Sequence, residues 1–134
     1  MVNYHIGIDV HRQSWNVCII REREIIFQGV IPPRTKNLLE IFGKHGVTAA
    51  KSQIAYEIGG CGFWIYDELT AAHFDVVVAT PCQIPREPTR IKADARDSLE
   101  LARLLQRGML RSIAIPIPEE RAIRDLVRTR GMLV

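Results

Sequence analysis

The sequence predicts an α/β fold: a mixed five-stranded sheet flanked by helices, with a further helix leading out at the C-terminus. Three observations predict it. Between residues 4 and 31, three short stretches alternate apolar and polar residues and are joined by links of a few residues, which suits an antiparallel meander. After Pro32-Pro33, helical and strand-like patterns take turns, as expected of strands added through right-handed crossovers. Phe74 to Thr80 is almost continuously apolar, as in a strand covered on both faces.

Tyr4 to Val10 is the first predicted strand, where Ile6, Ile8 and Val10 alternate with His5, Gly7 and Asp9. Asp9 therefore faces away from the isoleucines. Ser14 to Ile20 is the second, with Trp15, Val17 and Ile19 on one face, reached through His11-Arg12-Gln13. Glu24 to Ile31 is the third, reached through Arg21-Glu22-Arg23. Thr35 is expected to cap a helix running to about Lys44, with Leu38, Leu39, Ile41 and Phe42 on its apolar side and Gly43 and Gly46 at its end. Gln53 to Ile58 is a fourth strand carrying Glu57 near its C-terminal end. Gly59-Gly60-Cys61-Gly62 reads as a tight turn into a helix from about Phe63 to Ala72, with Ile65 and Leu69 inward. Pro81, Pro85 and Pro88 make the stretch after the fifth strand irregular. A helix opens at Asp94 and runs to about Arg107, where Gly108 stops it. Residues 111–117 form an extended link. Pro118, Glu119 and Glu120 supply first-turn chemistry for a last helix, which carries Ile123, Leu126 and Val127 on one side.

A chain of 134 residues is one domain with room for a real core, and its 47% hydrophobic and 25% charged residues are ordinary for a soluble globular protein. No apolar run approaches the length that spans a bilayer, so no membrane association is expected. Cys18, Cys61 and Cys82 are odd in number and lack CxxC spacing, which predicts reduced thiols and a cytoplasmic protein. His5, His11, His45 and His73 are scattered and form no zinc pattern. The net charge of +3 is unevenly spread. Residues 1–85 hold seven Lys/Arg against eight Asp/Glu, and residues 86–134 hold eleven against seven. The basic excess surrounds the helix opened by Asp94 and points toward a polyanionic partner.

That helix carries the sharpest chemical signal. Asp94 and Asp97 are three residues apart and share a face that continues as Leu101, Leu104 and Leu105. Two carboxylates at the head of a leucine-lined face are costly unless something positive meets them, and a divalent metal would serve. Taken alone, the pair also fits first-turn acids favoured by the helix dipole. Asp9 lies toward the end of the first strand and Glu57 toward the end of the fourth. If those strands are parallel neighbours, the two acids converge where α/β sheets place their ligands. Four carboxylates meeting at one point would be neutralised by two Mg²⁺ or Mn²⁺ ions, which suit hard oxygen ligands and phosphodiester chemistry. Lys92, Arg96 and Arg103 are the cations that could hold phosphates, although Lys92 and Arg96 fit a solvated helix face nearly as well. Trp15, Phe63 and Trp64 are read as core or partner contacts rather than base-stacking platforms. Neither Ser98 nor Ser112 has a base at diagnostic spacing, so no nucleophile is assigned.

Gly7-Ile8-Asp9-Val10, Tyr56-Glu57 before a glycine turn and an aromatic helix, and Lys92-Ala93-Asp94-Ala95-Arg96-Asp97 before Leu-Ala-Arg-Leu-Leu together resemble the DEDD-type insertion-sequence transposases. That family includes the Piv-like DNA invertases and the bridge-RNA-guided recombinases. The resemblance covers nearly the whole chain, and the K-x-D-x-x-D segment is its most specific element. It implies an RNase H-like (RuvC-like) catalytic domain over residues 1–112 and the start of a helical connector over 113–134. It also implies Asp9, Glu57, Asp94 and Asp97 as a Mg²⁺- or Mn²⁺-binding catalytic tetrad. DNA is then the partner, joined in the guided branch by a structured RNA. Full-length members continue into a second, serine-bearing domain, so this chain is expected to be an N-terminal fragment that does not recombine DNA alone. The apolar stripe of the last helix predicts self-association.

Other classes stay open at the sequence level. A Holliday-junction resolvase or related nuclease of the same fold would cut with metal-activated water. A sugar-kinase or actin-like ATPase also begins with an apolar strand ending in Asp, but there a Gly/Thr-rich phosphate turn follows, where this chain has Val10-His11-Arg12. A non-catalytic nucleic-acid-binding or dimerisation module would carry the acids as relics.

Overall fold

The structure, a computed structural model, describes residues 2–59, 62–80 and 94–115, with side chains from Asp97 onward in the last stretch. Strands β1 (Tyr4–Val10), β2 (Trp15–Arg21) and β3 (Glu24–Ile31) come first, then α1 (Thr35–Lys44), a 3₁₀ turn (Ala49–Lys51), β4 (Ser52–Glu57), α2 (Trp64–Ala71), β5 (Asp75–Ala79) and α3 (Asp94–Gln106). The strands form one sheet in the order β3-β2-β1-β4-β5. β1, β2 and β3 are antiparallel neighbours, whereas β1, β4 and β5 run parallel. This is the mixed, helix-flanked sheet of an RNase H-like fold.

The period-two pattern explains both faces. Ile6, Ile8, Val17, Ile19, Ile54 and Tyr56 belong to the core that also holds Leu38 and Phe42 of α1 and Ile65 and Leu69 of α2. The alternate residues Ala55, Val77 and Ala79 pack on Leu101, Leu104 and Leu105 of α3, and Cys18 and Ile20 pack on Ala102. The leucine stripe read from the sequence is thus the buried face of α3.

Thr35 departs from its expected role. Arg34 is the N-cap residue, in an extended conformation and without a side-chain cap bond, and Thr35 is the first helical residue. Its hydroxyl instead donates to Glu68 Oε2 at 2.8 Å and ties α1 to α2. Beyond α1, Gly46 adopts φ +70° and the Val47 N–H donates to the Phe42 carbonyl at 2.9 Å, which closes the helix end. Residues 111–115 lack regular structure but run beside β5, where the Ile113 N–H donates to the Val78 carbonyl at 2.9 Å. The proline-rich stretch after β5, the Gly60-Cys61 part of the glycine turn and the predicted last helix with Ile123, Leu126 and Val127 lie outside the described residues.

α3 crosses β1 at backbone distance. A Cβ added to Gly7 would stand 2.1 Å from the Ser98 carbonyl oxygen and 2.7 Å from the Ala102 nitrogen. Ser98 and Asn16 then fix the helix in register: the buried Ser98 hydroxyl donates to Asn16 Oδ1 at 2.8 Å. Removing that donor leaves a buried amide oxygen short of a partner. Ser98→Ala should therefore lower stability by about 1–3 kcal/mol, seen as a lower urea midpoint with an unchanged slope.

Candidate active site

β1 pairs with β4 in parallel through Ile8 and Tyr56, so the next residues on these strands, Asp9 and Glu57, are neighbours at their C-terminal ends. Adjacent strands lie about 4.8 Å apart. Ile8 and Tyr56 point into the α1/α2 core, which turns Asp9 toward the α3 face. There Asp9 is 8% exposed, and Glu57 is half-buried. A carboxylate this enclosed at the edge of an apolar strand calls for a positive partner.

α3 supplies the third acid. Ser98 bonds to Asn16, and Asn16 is the antiparallel partner of Asp9. Ala102 packs on Cys18 and Ile20 further back along the sheet, and Gln106 Nε2 donates to the Glu22 carbonyl in the β2–β3 turn at the opposite end. The helix therefore begins over the Asp9 end of β1. Asp97, half-buried, lies in this first part of α3, and the backbone of Asp94 opens the helix. The side chains of Asp94 and Arg96, and all of Lys92, lie outside the described residues. Among the described residues no three His, Cys, Asp or Glu side chains form a group that could hold a metal ion. Arg103 is exposed in the last turn of α3, about 9 Å along the helix from Asp97 at 1.5 Å per residue.

His11 is the contact that sequence reasoning missed. Its Nε2 lies 2.9 Å from Asp9 Oδ2, and the His11 N–H donates to the Ser14 carbonyl in the turn that follows β1. The signal was the spacing: a histidine two residues past a strand-end acid, where the chain reverses, can reach back to that acid. Cys18 sits on the same face but is buried and free, and burial pushes its thiol up to about 11 against the opposing pull of Arg103. It is no nucleophile at neutral pH. His5 on β1 is held below the usual histidine range by burial.

A cleft of about 560 Å³ opens beside the acids, lined by Val10, His11, Arg12, Trp15, Pro33, Glu57, Gly59 and Trp64. Of the aromatics read as core or partner contacts, Trp15 is buried and Phe63 packs on the core, but Trp64 is 42% exposed. A hollow of about 430 Å³ at Arg21–Glu24 lies at the far end of the sheet, away from the acids.

Comparison with known proteins decides the family. The model of the DEDD_Tnp_IS110 family, described as "Transposase", matches residues 6–134. The chain belongs to the DEDD-type insertion-sequence transposases. It is 29% identical over 133 residues to "Putative transposase y4qE" of Sinorhizobium fredii, covering 96% of this chain and 34% of that protein. It is 27% identical over 133 residues to "Transposase for insertion sequence element IS1533" of Leptospira borgpetersenii, covering 96% of this chain and 38% of that one. This transposase chain thus spans little more than a third of the curated relatives it matches. Among its described residues no helix is long and apolar enough to cross a membrane.

Proposed function

We propose that this chain is the metal-dependent catalytic domain of a DNA transposase, with Asp9, Glu57, Asp94 and Asp97 as ligands of Mg²⁺ or Mn²⁺. The observation that carries the reading is that Asp9 and Glu57 each follow the last paired residues, Ile8 and Tyr56, of parallel neighbouring strands, with α3 beginning over the same end. The donor set is all hard oxygen, which fits these cations. A bound pair of ions would activate the attacking oxygen and stabilise the leaving oxygen at a phosphodiester. The chain's own contribution is orientation: the Gly7 crossing and the Ser98–Asn16 bond hold α3 against β1, and His11 holds Asp9 Oδ2. Residues 1–112 form the catalytic unit in this reading and 113–134 begin the connector. DNA is the substrate, the working form is a homo-oligomer, and the setting is the cytoplasm.

Calorimetric titration of Mn²⁺ into the chain should show binding that Asp94→Asn weakens by about tenfold or more, about 1.4 kcal/mol. No binding in either protein would sink the reading. Incubation with branched and linear DNA and Mg²⁺ separates the neighbouring class: junction-specific hydrolysis by this chain alone would point to a resolvase-like nuclease instead.

A further inference from the structure

We infer that the cleft beside Glu57 receives an unstacked nucleotide adjoining the phosphate held at the acids, with its base against Trp64. The inference rests on the catalytic reading above and adds the local shape of its substrate. Among the described residues Trp64 is the one exposed Phe, Tyr or Trp side chain, although it opens a helix whose Ile65 and Leu69 are fully buried. Exposing an indole forgoes hydrophobic burial, and here the exposed ring lines the cleft. It is also braced: the Trp64 and Trp15 ring centroids are 5.8 Å apart at an interplanar angle of 37°, and Trp15 is itself anchored in the core. A braced indole makes a ready stacking surface.

The rest of the lining matches a nucleotide. Arg12 is exposed and His11 partly so, both within the turn after β1, and they bring N–H donors to the wall of the cleft. Pro33 and Val10 add apolar surface, and Glu57 places the acid centre on the same wall. At about 560 Å³ the cleft is within the usual range of small-ligand sites, about 300–1,000 Å³. A base inside an intact duplex cannot enter such a space, so the occupant is single-stranded or flipped out.

The test uses the whole chain and a short single-stranded DNA carrying 2-aminopurine, with the matching duplex as control, in EDTA and again in Mg²⁺. Stacking on Trp64 is expected to quench the probe in the parent chain. Trp64→Ala should weaken single-strand binding by about tenfold, and Trp64→Phe should restore most of it. Duplex affinity and calorimetric Mn²⁺ binding should stay unchanged in both variants. Three results would overturn the inference: an unquenched probe in the parent chain, equal single-strand affinity in Trp64→Ala, or equal losses for single strand and duplex. Failure of Mn²⁺ binding in the parent chain, with the Trp64 dependence intact, would instead remove the catalytic reading and leave the nucleotide cleft standing.

Discussion

Gly7→Ala is expected to lower stability by about 3 kcal/mol, although it adds a single methyl group. The methyl carbon would sit 2.1 Å from the Ser98 carbonyl oxygen and 2.7 Å from the Ala102 nitrogen, both backbone atoms of α3. A flexible side chain could rotate away; a helix backbone cannot. Relief therefore means lifting α3 off β1, which opens the Ala55–Leu101–Leu105 packing and strains the Ser98–Asn16 bond. The urea midpoint should fall, and Mn²⁺ affinity should fall with it because Asp94 and Asp97 ride on the same helix. Gly43→Ala is the matched control. Gly43 lies inside α1, and a Cβ there meets nothing within 4 Å. Removing a helix-interior glycine should raise stability by about 0.5–1 kcal/mol. A Gly7→Ala protein that unfolds with the parent would show that α3 does not cross β1 this closely.

The contrast between these glycines shows where sequence reading stops. Alternation of side chains is a local signal, so β1 and β3 match their predicted residues and the faces of Ile6, Ile8, Val17 and Ile19 come out as expected. The parallel pairing of β1 with β4 was legible as a condition, because two crossovers after a meander leave few arrangements. Gly7 looked like an ordinary polar-face position, since nothing near it in the chain reveals a helix from residue 94 onward lying across it. Ser98 and Asn16 are 82 residues apart, and their bond has no local signature. Thr35 had good capping chemistry, yet Glu68 on the neighbouring helix competed for its hydroxyl. Trp64 was read as a core or partner contact; it is exposed and lines the cleft, and its place at the first turn of α2 did not reveal which of the two it would be. The acids stood out in the sequence because charge on a strand end or a leucine-lined face violates the pattern around it. His11, which reaches Asp9 through a turn, violated nothing.

Asp9→Asn should leave the fold intact and abolish its response to metal. For the parent chain, a Mg²⁺ concentration about 100 times the dissociation constant should add about 2.7 kcal/mol of stability. In a domain of this size that is a rise of roughly 10 °C in Tm. Asparagine has the shape of aspartate, and its Oδ1 can still accept a hydrogen bond from His11 Nε2, so packing at the end of β1 survives. What disappears is the charge. A negative side chain only 8% exposed, bonded to His11, next to Glu57 at the strand ends and below the start of α3, is repelled by the neighbouring acid without a cation and held by the ion with one. The Asn variant should therefore melt at or above the parent in EDTA and should not shift when Mg²⁺ is added. A carboxylate kept for its bond to His11 predicts the opposite: lower stability in EDTA and an undiminished rise with Mg²⁺. Both curves come from one thermal melt experiment, and the sign of the difference in EDTA separates a metal ligand from a structural acid before any DNA is cut.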